Sequence, residues 1–158
     1  MTDQGPPKRS GAERETLVGM LQYLRESVVR KADGVSDEVA RTPRVASGTS
    51  LMWILKHLTM AETVWFQISF AGRDVELPSD AVTDTDTLAS AIDVYRRTCA
   101  ESESITEVAS LDDFCARTRR DDIVVDLRWV LVHMIEETAR HAGHADILRE
   151  LTDGAIGR

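Results

Sequence analysis

The feature that most constrains this chain is a seam in its last third. Leu127, Leu131, Met134, Thr138, His141, Ala145 and Leu148 follow one another at steps of four and three. Only an α-helix brings positions with that period onto one face; a strand would alternate between two faces. The seam lasts three heptads, and an apolar stripe of that length must be covered by other helices. The expected class is therefore all-α, an up-down four-helix bundle.

Three further segments carry the helical period. The first runs from about Gly11 to Lys31, with Leu17, Met20, Leu21, Leu24 and Val28 inward. Ser10 is its candidate N-cap, with Glu13 completing a capping box, and Asp33-Gly34 ends it. Val35 to Val39 reads as a short extra turn. The second helix runs from about Ser50 to Phe70, with Leu51, Ile54, Leu58, Ala61, Trp65 and Ile68 as its seam, and Gly72 closes it. The third runs from about Asp86 to Thr106, with Leu88, Ile92, Tyr95 and Cys99 inward, and the fourth from about Asp126 to Thr152. Residues 107–125 are the least patterned; Leu111, Phe114 and Cys115 are expected to cap the bundle bottom, and Arg117 to Asp122 to form an exposed turn. The organisation expected is a disordered lead over 1–10, the bundle over 11–154 and a tail over 155–158.

Charge narrows the function classes. Lys plus Arg is 19 against 27 Asp plus Glu, a net charge of −8. That balance lacks the basic stripe that nucleic acid or an anionic membrane surface requires. No apolar run approaches the roughly 18 residues of a membrane span. The two cysteines, Cys99 and Cys115, form neither a disulfide framework nor a CxxC motif. A reducing compartment, the cytoplasm, is the expectation. Cys99 reads as a small buried hydrophobe. Cys115 has neighbouring arginines that would lower its pKa, but no base near it in sequence, which argues against a nucleophile. Trp53, Trp65 and Trp129 read as core or bundle-interface residues.

The chemistry concentrates in His133-Met-Ile-Glu-Glu137-Thr-Ala-Arg-His141-Ala-Gly-His144. Glu137 and His141 stand one turn apart on one face. His141 lies on the seam and Glu137 beside it. On the second helix, His57 lies between Ile54 and Ala61 on the inward face. Burying a carboxylate without a partner costs several kcal/mol, and a divalent cation would satisfy all three groups at once. Imidazole with carboxylate suits zinc or another first-row ion such as nickel or manganese. Three protein ligands leave a coordination position open, the pattern of a catalytic site. The residues alone also allow plainer readings. His57 reads equally as a hydrogen-bonded core residue, and Glu137 as paired with Arg140 or Lys56. His133 and His144 are candidates for orienting the ligands, or are exposed. Arg140 reads first as part of a solvated, salt-bridged face.

Two stretches also resemble a known family. "LRWVLVHMIEETARHAGHADILRELTDG", from Leu127 to Gly154, resembles the last helix of DinB-like proteins. "WILKHLTMAETVWF" resembles their second-helix motif. The likeness covers residues from about 13 to 154 and is nearest to the actinobacterial branch related to mycothiol-dependent S-transferases and to the metal-binding domain of the thiol-dependent maleylpyruvate isomerase. Many relatives carry three histidines; Glu137 stands where they place the first His of a paired HxxxH. The isomerase branch similarly uses His, Glu and His, but its extra C-terminal domain has no counterpart here, so maleylpyruvate isomerisation is not expected. The resemblance implies a four-helix bundle holding one divalent metal on His57, Glu137 and His141. It also implies a low-molecular-weight thiol such as mycothiol as co-substrate, with Arg140 a weaker candidate for holding it, an electrophile as its partner, and a homodimer. The expected function is metal-dependent thiol S-transfer. Its alternatives are metal-assisted hydrolysis and a non-catalytic, metal-stabilised binding or stress-response module.

Overall fold

The computed structural model describes residues 5–8, 11–118 and 123–156. Its helices are α1 (Glu13–Ala32), α2 (Asp37–Arg41), α3 (Leu51–Glu62), a π-helix (Thr63–Phe70) that continues α3, α4 (Leu88–Val108) and α5 (Leu127–Asp153). Among the described residues there is no strand, only an isolated antiparallel bridge between Phe114 and Asp126. No helix among them is long and apolar enough to cross a membrane.

Local chemistry sets the helix starts. The side chains of Ser50, Thr87 and Asp126 accept hydrogen bonds from the backbone N–H of Trp53, Ser90 and Trp129. Each such cap contributes about 1 kcal/mol. Gly154, at φ 75°, closes α5 by donating to Glu150 O. That left-handed conformation is open to glycine at no steric cost. α1 departs from expectation: Ala12 occupies its N-cap position with no side-chain cap, and Ser10 lies outside the described residues.

All seven residues of the α5 seam are buried, from Leu127 to Leu148. At one end of the bundle the core joins Val28, Leu51, Ile54, Leu58, Tyr95 and Leu148. At the other it joins Leu21, Phe66, Ile105, Leu127, Leu131 and Met134. Full burial of each large aliphatic or aromatic side chain contributes roughly 1.5–3 kcal/mol.

The all-α bundle is as expected, but the helix directions do not simply alternate. Arg128 at the start of α5 pairs with Glu13 at the start of α1, and Arg149 near the end of α5 donates to Lys31 O and Asp33 O at the end of α1. α1 and α5 are therefore parallel neighbours. Lys56 pairs with Asp86, and Arg73 with Glu101, so α3 and α4 also run the same way. The order is up, down, down, up. Residues 71–87 cause it by running back along the bundle before α4 begins.

The second seam is also corrected. Beyond Ala61 the expected inward residues were Trp65 and Ile68; both are only half-buried, and Phe66, Ser69 and Phe70 are buried instead. The cause is the π-helix. Its i→i+5 hydrogen bonds, such as Ala71 N to Phe66 O, align residues five apart, so Phe66 takes the place in line after Ala61.

Within 107–125, Cys115 N donates to Val125 O, Ala116 N to Phe70 O and Arg117 N to Ser69 O. These bonds tie the segment to the end of the π-helix. Cys115 is buried, but Phe114, expected as a cap, is 69% exposed. Adjacent side chains of extended backbone point to opposite sides, so turning Cys115 inward turns Phe114 out. The expected turn at Arg117 to Asp122 lies partly outside the described residues.

One core feature escaped the sequence reading. Arg25, buried on α1, donates from Nε and Nη2 to the two carboxylate oxygens of fully buried Glu62, at 2.8 and 2.7 Å. Its Nη1 reaches Glu103 at 3.3 Å. Burial alone would lower the guanidinium pKa, but the Glu62 carboxylate holds it above its ordinary value. A signal was present: Arg25 stands four residues after Leu21 and three before Val28, on the apolar face.

Candidate metal centre

His57 reaches the centre from the middle of α3, and Glu137 and His141 from successive turns of α5. His57 Nε2 lies 2.8 Å from Glu137 Oε1, and His141 Nε2 lies 3.3 Å from the same oxygen. One potential ligand atom from each of the three residues falls within 4.8 Å of the others. His141 is buried; His57 and Glu137 are partly so. The structure thus brings the three predicted residues together.

Trp53, one turn before His57, holds the group in place. Its ring stacks on the His57 imidazole at 4.7 Å between centroids and meets His141 at 5.6 Å. The two imidazoles are 4.7 Å apart. Burial, then the neighbouring His57, lowers the His141 pKa to about 4 despite the opposing pull of Glu137. Burial would raise the Glu137 pKa, but the His57 hydrogen bond and His141 bring it below the ordinary carboxylate value. Glu137 is therefore ionised and His141 neutral at pH 7, the protonation states a cation requires of its ligands.

The donor set fits a divalent cation. Two imidazole nitrogens converge on one carboxylate oxygen, giving an N, N, O set suited to zinc and its first-row neighbours. The nearby cationic side chain, Arg140, is 57% exposed, with Nη1 3.7 Å from Glu137 Oε2, and it also pairs with Glu136. The Nδ1 atoms of His57 and His141 are buried without a hydrogen-bond partner. Asp80 Oδ2, on the returning 71–87 segment, sits 3.8 Å from His57 Nδ1. A carboxylate behind the imidazole is the usual device for orienting a metal-binding histidine. Asp80 carried no sequence signal, because it lies in an unpatterned loop.

The other candidates fall elsewhere. His144 is exposed, with its ring edge against His141 at 5.3 Å. His133 is further from the centre, stacked on Trp129 at 5.1 Å and edge-on to Trp65 at 4.6 Å. Trp129, expected in the core or at an interface, is 45% exposed. Cys115 contradicts the expectation of a lowered pKa. Burial, helped by Asp126, raises it, and Arg117 directs Nη2 to Gly72 O instead of the thiol.

Residues of the triad line two cavities. A larger one of about 730 Å³ has His57 and Glu137 in its wall, with Met60, Trp65, Leu77 and Trp129 among its apolar lining. A second, of about 450 Å³, is lined by Trp53, His141, His144 and Ile147.

The fold and the triad define an all-helical protein with a histidine and carboxylate cluster open to a ligand-sized cavity. Residues 16–154 match the family described as mycothiol S-transferase, and the chain belongs to that family. No curated protein matches it. Among solved structures, a conserved protein from Enterococcus faecalis is similar at 16% identity and TM-score 0.64, covering 92% of this chain and 100% of its own. At that identity the likeness speaks to the fold alone.

Proposed function

We propose that this protein is a metal-dependent S-transferase, joining a low-molecular-weight thiol of the mycothiol kind to an electrophile. His57, Glu137 and His141 hold one divalent cation, with zinc the first candidate and nickel or manganese the next. The observation that carries the reading is the convergence of two imidazole nitrogens on Glu137 Oε1 in the wall of the larger cavity. The family supports the thiol as co-substrate. When bound, such an ion supplies the Lewis acidity that favours thiolate over thiol at neutral pH. The chain's own residues do the rest. Trp53 fixes both imidazoles by ring contact, so their nitrogens need little reorganisation. Glu137 supplies the negative charge that offsets the cation. The apolar cavity walls limit water beside the reacting groups, which disfavours hydrolysis of the electrophile. A reducing, cytoplasmic setting belongs to the same reading, in keeping with two free, buried cysteines.

Elemental analysis of purified wild type and His141→Ala, followed by thiol-transfer assays, tests this. The expected result is about one metal per chain, lost in the variant, and conjugation that requires both metal and mycothiol. Turnover that proceeds without thiol would indicate a hydrolase. Metal-loaded protein that conjugates no electrophile would leave a non-catalytic bundle.

A further inference from the structure

The π-helix changes which residues face the larger cavity. Continued as an α-helix, α3 would carry Trp65 on the seam of Ile54, Leu58 and Ala61. The i→i+5 segment instead buries Phe66 in the core and leaves Trp65 half-buried in the cavity wall. π-helical segments are costly and rare, and recur at functional sites. From α5, Trp129 reaches the same wall, 5.3 Å from Trp65 between ring centroids. His133 braces both indoles, parallel to Trp129 at 14° and edge-on to Trp65. Trp129 keeps 45% of its surface exposed with Trp65 and His133 packed against it. Trp129 thus presents exposed indole surface in a cavity wall that it shares with Trp65, His57 and Glu137.

We infer that this cavity is the acceptor site, and that Trp129 in its wall selects planar aromatic electrophiles by ring contact. The inference rests on the S-transferase reading and specifies its second substrate. Planar rings gain both apolar burial and favourable offset or edge contacts on indole faces, which a small aliphatic electrophile cannot. The step balances with a halogenated aromatic acceptor. The thiol proton passes to solvent, the sulfur electron pair forms the new C–S bond, and the C–halogen bond breaks with halide departing.

The test uses the metal-loaded full chain with mycothiol and either 1-chloro-2,4-dinitrobenzene or iodoacetamide. Trp129→Ala is expected to raise KM for the aromatic acceptor roughly tenfold more than KM for iodoacetamide or for mycothiol, and Trp129→Phe to recover most of the loss. Binding gives a readout independent of turnover. Quenching of tryptophan fluorescence by 2,4-dinitroaniline, which lacks a leaving group, should need roughly tenfold more ligand in Trp129→Ala and little more in Trp129→Phe. If the mycothiol KM rises most, the cavity holds the thiol and the inference is overturned. Normal turnover with unchanged dinitroaniline binding in Trp129→Ala overturns it too, and leaves the S-transferase reading intact. No turnover in any form, with dinitroaniline binding still dependent on Trp129, supports the cavity assignment and removes the S-transferase reading.

Discussion

Two glutamates on facing helices, Glu62 and Glu137, have opposite surroundings. Glu62 is fully buried, and a bidentate Arg25 meets both its oxygens. Glu137 is partly buried between two imidazoles whose Nδ1 atoms have no hydrogen-bond partner, with Arg140 exposed beside it. The first carboxylate carries a permanent counter-charge inside the fold. The second has two imidazoles beside it, no bidentate guanidinium, and faces a cavity. Buried charge is tolerated only when compensated, so Glu62 is a finished structural pair and Glu137 is suited to receive a cation.

Four measurements bear on this contrast. The largest effect belongs to Arg25→Met, which strands Glu62 and should cost about 3–5 kcal/mol in denaturant unfolding. The double variant Arg25→Met with Glu62→Leu should recover most of that stability. A double variant as unstable as the single would deny that Glu62 is the cause.

Next comes metal removal. Zinc at about 100 times its Kd should add about 2.7 kcal/mol to wild type. A chelator should remove that gain, and Glu137→Gln should be nearly insensitive to zinc. If Glu62→Gln lost the zinc response and Glu137→Gln kept it, the two sites would have been assigned the wrong way round.

A smaller effect concerns pH. In metal-free protein His141 titrates near 4, below its ordinary value of 6.5. The unfolded chain therefore binds the extra proton first. Stability contributed by neutral, buried His141 is present above pH 6.5 and lost as pH falls towards 4, by on the order of 2 kcal/mol. Urea unfolding at several pH values should show this slope in wild type and less of it in His141→Ala. The smallest effect is Arg140→Ala, within about 0.5 kcal/mol, as for an exposed ion pair. A cost rivalling that of Arg25→Met would erase the distinction between the glutamates.

What the sequence disclosed follows the same physics. The α5 seam was legible because seven residues in strict helical register report one buried face. His57, Glu137 and His141 were legible as candidates because polar groups on such a face demand partners. The π-helix was hidden, since a change in residues per turn leaves no mark on composition, and Trp65 was placed inward by extrapolating the α period. The Arg25–Glu62 pair was passed over because a charged side chain is read by default as solvated. Phe114 was misjudged because its outward turn depends on backbone bonds between Cys115 and Val125 that no local pattern encodes. Asp80 reaches His57 only because residues 71–87 run back along the bundle.

The parallel packing of α1 on α5 has a consequence for how the protein comes into being. Synthesis proceeds from the N-terminus, yet the helix that covers α1 most extensively is the last of the bundle's described helices to be made. Ties such as Arg128 with Glu13 and Arg149 with Lys31 O span 115 and 118 residues. Closing contacts of such sequence separation slows folding relative to bundles whose neighbours are consecutive. Until α5 is complete, a nascent chain carries His57 without its two companions and an α1 face without its cover. The triad can assemble only once α5 docks, so capacity to hold a cation would mark a closed bundle.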